Sequence, residues 1–162
     1  MRCLGILVCA LAACGNDSAT VDPDGGVVIV SDGSSDGDPG PDAMLTVCEE
    51  ATFHSDLAWI QENIFTPSCA SSSCHGGPEP EVGLDLSEGR AHANLVNRNS
   101  STVPGWVRVV PGAPTTSYLV VSVGRAPGPP PRDGFMPIGG VEPLCVEKLE
   151  AIERWIAEGA QP

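Results

Sequence analysis

Basic side chains are scarce in this chain: 8 Lys and Arg stand against 21 Asp and Glu, a formal net charge of −13. That balance argues against nucleic-acid binding, which neutralises phosphates with Lys and Arg. It argues equally against docking on anionic lipid through protein charge. The natural electrostatic complement is a basic patch on a partner protein. Large side chains are also few, with three Trp, three Phe and one Tyr, whereas Gly numbers 19 and Pro 16. A core built from so little is small, and small cores are commonly stapled by covalent bonds or cofactors. Enzyme signatures are missing too. The chain has no Gly-rich phosphate cradle between strand and helix, no Gly-x-Ser-x-Gly elbow and no His-Glu-x-x-His helix.

Cysteine, by contrast, is plentiful. The 7 residues fall into three groups: Cys3, Cys9 and Cys14; Cys48 and Cys145; Cys69 and Cys74. Such usage points to an oxidising compartment or to cofactor chemistry. The first group lies in an N-terminal apolar run, Cys3 to Ala13, that follows Met1-Arg2 and is too short for a permanent membrane span. Residues 1–13 therefore read as a signal peptide. The run ends in Leu11-Ala12-Ala13-Cys14, which resembles the bacterial lipobox. The expectation is a mature chain that starts at a lipidated Cys14, exported and held on the periplasmic side of a bacterial membrane. An ordinary cleaved signal with a stray Cys14 is the alternative.

Residues 14–46 carry seven Asp, from Asp17 to Asp42, among Gly, Ser and Pro, with no Lys or Arg. Like charges and turn formers bury too little apolar surface to offset the entropy of ordering, so a disordered acidic linker is expected. Val27 to Val30 is its one apolar interruption and has strand character. The Asp spacing does not match a calcium-binding EF-hand loop.

Residues 47–162 read as the folded domain. Ser55 is a suitable N-cap for a helix to about Phe65, with Leu57, Ile60 and Ile64 on one face, ended by Pro67. Trp106–Val110 and Ser117–Val123 have strand propensity. Val146, Leu149, Ile152, Trp155 and Ile156 form an apolar stripe at helical spacing, with Gly159 as C-cap.

The chemistry-bearing segment is Cys69-Ala-Ser-Ser-Ser-Cys74-His75-Gly76. Two thiols followed at once by His is the arrangement for covalent haem c attachment. The sulfurs bond two vinyl groups on one porphyrin edge, and the adjacent imidazole ligates iron. Four residues separate the thiols here, against two in the common motif. A small disulfide loop with an incidental His and part of a zinc site remain alternatives. Met136, in Gly134-Phe-Met-Pro-Ile-Gly-Gly140, is the candidate second ligand, because flanking Gly and Pro would hold a thioether toward iron. A Met that fills a core gap is the plain alternative. A Cys–His nucleophilic pair is disfavoured, since such geometry is normally assembled from distant parts of a chain.

These blocks occur with others in a consistent order: Gly83-Leu-Asp-Leu86, Ala91-His-Ala-Asn-Leu-Val96, Arg108-Val-Val-Pro-Gly112, Ser117-Tyr-Leu119, Met136-Pro137 and Trp155-Ile-Ala-Glu-Gly-Ala160. The series, over about residues 50–161, resembles the cytochrome c-like domains of exported bacterial proteins, notably of myxobacteria and planctomycetes. The resemblance implies a mostly α-helical cytochrome c-like fold with packed N- and C-terminal helices and long loops. It implies His75 and Met136 as axial ligands and a short helix, not a strand, over Ser117–Val123. If the terminal helices pack, a Cys48–Cys145 disulfide is geometrically natural; two free buried thiols are the alternative. Arg108 is the candidate partner for a haem propionate, Arg98 a weaker one, and His54 and His92 read as surface or structural. The expectation is a one-electron carrier rather than an enzyme, with redox partner proteins and no nucleic acid. The competing reading is a haem-free, disulfide-stabilised lipoprotein domain.

Overall fold

The computed structural model describes residues 45–139 and 143–162, preceded by two short strands, β1 (Thr20–Val21) and β2 (Val27–Val28). The expected signal peptide, Cys14 and the rest of the acidic linker lie outside the described residues. The chain divides into two units, residues 1–43 and 44–162. In the first, β1 and β2 pair antiparallel, Thr20 opposite Val28 and Val21 opposite Val27.

The second unit is mostly α. Helix α1 (Val47–Glu50) opens with a reciprocal cap: Thr46 Oγ1 accepts from Glu49 N–H, and the Glu49 carboxylate accepts from Thr46 N–H at 2.7 Å. A 3-10 turn, Ala51–Phe53, follows. The next helix starts one residue later than its sequence indicates. Asp56, not Ser55, is the N-cap, accepting from Trp59 N–H at 2.8 Å, while Ser55 Oγ donates to Glu158 at 2.6 Å. Nor does the helix stop at Phe65. It runs as α2 (Leu57–Ile60), a π-helical turn (Gln61–Phe65) and α3 (Thr66–Ser68). Pro67 lies one residue into α3, which directly follows the π-helical turn. Gln61, buried on the π turn, donates to the Leu86 carbonyl at 2.9 Å and to Thr66 Oγ1 at 3.1 Å.

After α4 (Ala91–Leu95), neither strand expected from propensity forms. Val107 and Val109 make only isolated bridges, and Tyr118–Ser122 is helix α5. Tertiary burial overrides the β-branched bias here. Ser117 is fully buried, and its hydroxyl accepts from Val110 N–H and donates to the Ala113 carbonyl, both at 2.9 Å. Tyr118, Val120 and Val121 are then buried from a helical turn.

The last helix, α6 (Val146–Ala157), buries Ala151, Ile152, Trp155 and Ile156, whereas Val146 at the start of the stripe is exposed. Gly159, at φ +101°, ends it in the left-handed region that Gly adopts freely. Helix α6 packs against α1, the 3-10 turn and α2. Arg154 fastens this contact by donating to the carbonyls of Ala51 and His54. Cys48 and Cys145 are joined by a disulfide with Cα atoms 6.2 Å apart, inside the usual range. Among the described residues no helix is long and apolar enough to cross a membrane.

Candidate functional site

Where α3 ends, the chain turns sharply and the four-residue spacer closes on itself. Cys74 N–H and Gly76 N–H both donate to the Ser71 carbonyl at 3.0 Å, and His75 N–H donates to the Cys69 carbonyl at 3.1 Å. The extra residues are thereby absorbed in a compact turn that returns His75 to Cys69. Gly76 is required for it, since a Cβ there would collide with the Ala70 carbonyl. Leu86 N–H, donating to the His75 carbonyl at 2.7 Å, pins the turn to the core.

Cys69 and Cys74 are both free and half-buried. Burial, with the Cys74 sulfur alongside, pushes the Cys69 thiol up to about 12. Cys69 is therefore a protonated thiol at neutral pH, the opposite of what a nucleophilic cysteine needs. The His75 imidazole lies below its ordinary pKa because it is buried, although hydrogen bonding to the Glu81 carbonyl opposes this. Nδ1 sits 3.3 Å from that carbonyl. A carbonyl only accepts, so this contact is a hydrogen bond in the tautomer that carries the proton on Nδ1, which leaves Nε2 as the ring's acceptor. This is the tautomer and second-atom anchoring found in metal-bound imidazoles.

Two adjoining cavities of about 350 and 510 Å³ meet at this residue, each within the size range of about 300–1,000 Å³ usual for small-molecule and cofactor pockets. His75, Val82, Asp133 and Met136 line both, Cys69 and Cys74 line the smaller, and Arg108, Leu95 and Leu119 line the larger. Met136 is positioned by its backbone N–H, which donates to the Ser122 carbonyl at the end of α5 at 2.8 Å. Arg108 Nη1 donates to the Asn94 carbonyl at 2.9 Å, and Nη2 reaches the carbonyls of Val82 and Gly83 at 3.4 Å. Burial, and after it the charge of Arg98, lowers its pKa, but a guanidinium stays protonated. Among the described residues it pairs with no carboxylate.

The site thus gathers Cys69, Cys74, His75, Met136 and Arg108 and leaves the other candidates outside. Arg98 donates to the Ala93 carbonyl at 2.9 Å. His92 Nε2 bonds the Ala160 carbonyl at 2.9 Å, tying α4 to the chain end beyond α6. His54 stacks on Trp59, ring centroids 4.6 Å apart, with Nδ1 3.0 Å from Asp56. Among the described residues, Cys69, Cys74 and His75 do not form a metal-sized group of ligand atoms, by themselves or with any other His, Cys, Asp or Glu. A four-ligand zinc site is therefore not assembled here. Two groups that matter were missed from sequence: the carbonyls of Glu81 and Ser122, which orient His75 and Met136. Backbone acceptors carry no residue-type signal. No family model matches the chain, and no curated protein or solved structure matches it.

Proposed function

We propose that the chain is a monohaem c-type cytochrome of cytochrome c-like fold, a one-electron carrier held on the periplasmic side of a bacterial membrane by a lipid on Cys14. The observation that carries this reading is the shared lining of the two cavities. The free thiols of Cys69 and Cys74 line the smaller cavity, and the anchored His75 and the Met136 thioether line both. In that role Cys69 and Cys74 would hold a haem through thioether links to its two vinyl groups, which would keep the cofactor on an exported chain. His75 would offer its Nε2 lone pair and Met136 its sulfur, a ligand pair that would raise the reduction potential relative to two imidazoles. Leu84, Leu95 and Leu119 give the larger cavity part of its apolar wall. The uncompensated Arg108 guanidinium suits a carboxylate of the ligand. A haem held by these residues would supply one-electron chemistry at its iron.

The second reading, a haem-free lipoprotein domain with a binding or structural role, draws on the Cys48–Cys145 disulfide, which staples the fold without a cofactor. It also requires a Cys69–Cys74 bridge, and those thiols are free. Expression with a c-type maturation system, followed by a visible spectrum and an intact mass, separates the two. A coloured protein heavier by one haem is expected. A colourless protein at the unmodified mass would rule out the electron carrier.

A further inference from the structure

Gln61 is only 8% exposed, yet its amide is satisfied on one side alone. Nε2 donates to the Leu86 carbonyl at 2.9 Å and to Thr66 Oγ1 at 3.1 Å. A carbonyl only accepts, so the nitrogen has to face Leu86 and the oxygen has to face away. Oε1 accepts no hydrogen bond from a described residue. Among the described residues no side-chain oxygen or nitrogen is both fully enclosed and unpartnered, so Oε1 opens to the groove of about 720 Å³ that Gln61 lines. The π-helical turn sets this up. Thr66 N–H donates to the Gln61 carbonyl five residues back, which brings the two side chains together. Such turns recur at functional sites, and a half-satisfied buried amide costs stability until something completes it.

Glu62, Glu88 and His92 add further acceptors to this groove. Glu62 and Glu88 make no ion pair among the described residues. His92 Nε2 meets the Ala160 carbonyl, a hydrogen bond in the tautomer protonated there, which leaves Nδ1 as the ring's acceptor. Leu57, Ala58 and Ala91 form the apolar part of the wall. No Lys or Arg lines it, and Arg90, next to Gly89 in the chain, is not among the lining residues. Glu62, Glu88 and His92 fall in no metal-sized group among the described residues, so the three do not close on a single ion. Acceptors and negative charge spread along an apolar wall suit ammonium donors carried on an aliphatic body. We propose that this groove binds a linear aliphatic diamine or polyamine. Gln61 Oε1 and the Glu62 and Glu88 carboxylates accept from its ammonium groups, and Leu57, Ala58 and Ala91 cover its methylenes. The groove shares no lining residue with the two cavities at His75, so the proposal stands apart from the electron-carrier reading.

The test titrates the full-length protein with cadaverine at about 0.15 M salt, where a Debye length of about 8 Å screens diffuse attraction to acidic surface. Pentylamine, with one ammonium, and pentanediol, with none, are the comparisons. The Gln61 side-chain amide and the backbone amides of Glu62, Thr66, Glu88 and His92 should shift, while those of Glu79 and Glu147 stay put. Gln61 is followed in the wild type because replacing it would also strip the Leu86 carbonyl of its donor. Pentylamine should bind about fivefold or more weakly, and pentanediol should move nothing. Glu62→Gln with Glu88→Gln should weaken cadaverine binding by about fivefold or more. Glu79→Gln with Glu147→Gln, an equal change in net charge outside the groove, should alter it by less than about twofold. Equal weakening by both pairs, shifts spread over the acidic surface, a silent Gln61 amide or equal affinity for pentylamine would each overturn the proposal. So would magnesium chloride that bound the groove as tightly as cadaverine, since charge alone would then account for it.

Discussion

Met136 and His75 reach the same cavity by different means. His75 is locked within its own turn and by the Glu81 carbonyl, whereas Met136 depends on one backbone bond to Ser122. Substituting Met136→Ala should therefore leave haem attached through Cys69, Cys74 and His75 but remove the weak long-wavelength band of sulfur-to-iron ligation and lower the reduction potential. Persistence of that band would place the second ligand elsewhere. A second residue-scale effect belongs to Asp56. The N–H of Trp59, and secondarily His54, hold its carboxyl below the usual Asp range. A group with a depressed folded pKa contributes stability above its unfolded value of about 3.9, and that contribution fades as pH falls through the folded value. Asp56→Ala should cost about 1 kcal/mol at neutral pH, and the gap between variant and wild type should shrink below about pH 4. Urea denaturation at both pH values measures it; a gap independent of pH would contradict the capping role.

At the scale of elements, the terminal helices are held by three different bonds: buried apolar contacts, the Arg154 bonds to the Ala51 and His54 carbonyls, and the Cys48–Cys145 disulfide. The disulfide closes a loop with a sequence separation of 97, so its constraint on the unfolded chain is near the large end of the usual scale. Cys48→Ser with Cys145→Ser should lower unfolding free energy by about 2–5 kcal/mol by guanidinium denaturation, without changing the visible spectrum. Loss of the spectrum in the folded variant would mean that the helix pair, not only the thiol turn, holds the cofactor.

At the scale of the whole molecule, two adjoining clefts open to solvent leave apolar walls that a bound ligand would cover, and a ligand held by the folded state alone would stabilise it. Blocking attachment with Cys69→Ala and Cys74→Ala should give a colourless protein whose melting temperature falls by more than two partly buried Cys→Ala changes alone explain. An unchanged melting temperature would show that the cavities are not built around a ligand. The surplus of acidic charge acts at the same scale: the association rate with a basic partner should fall as salt rises, and a flat salt profile would exclude electrostatic steering.

Local chemistry was legible from the chain itself. The Cys69–Cys74–His75 cluster, Met136 in its Gly/Pro loop and the α6 stripe are short-range patterns, and their residue types state what they are able to bond. The helix start at Asp56, the continuation through Pro67 and the helical Tyr118–Ser122 were not legible from propensity. Each depends on a distant partner, such as Glu158 drawing away Ser55 or the Val110–Ser117 bond that buries the start of α5. The same holds for the site. Sequence alone determined which side chains are able to carry the proposed cofactor chemistry and the net charge of the chain around them. Only the tertiary structure decided that four spacer residues close into a turn, that Cys69 and Cys74 stay free while Cys48 and Cys145 bond, and that Arg108 rather than Arg98 reaches the cavity. Those outcomes are set by backbone carbonyls and by contacts far apart in the chain, which residue identity does not encode locally.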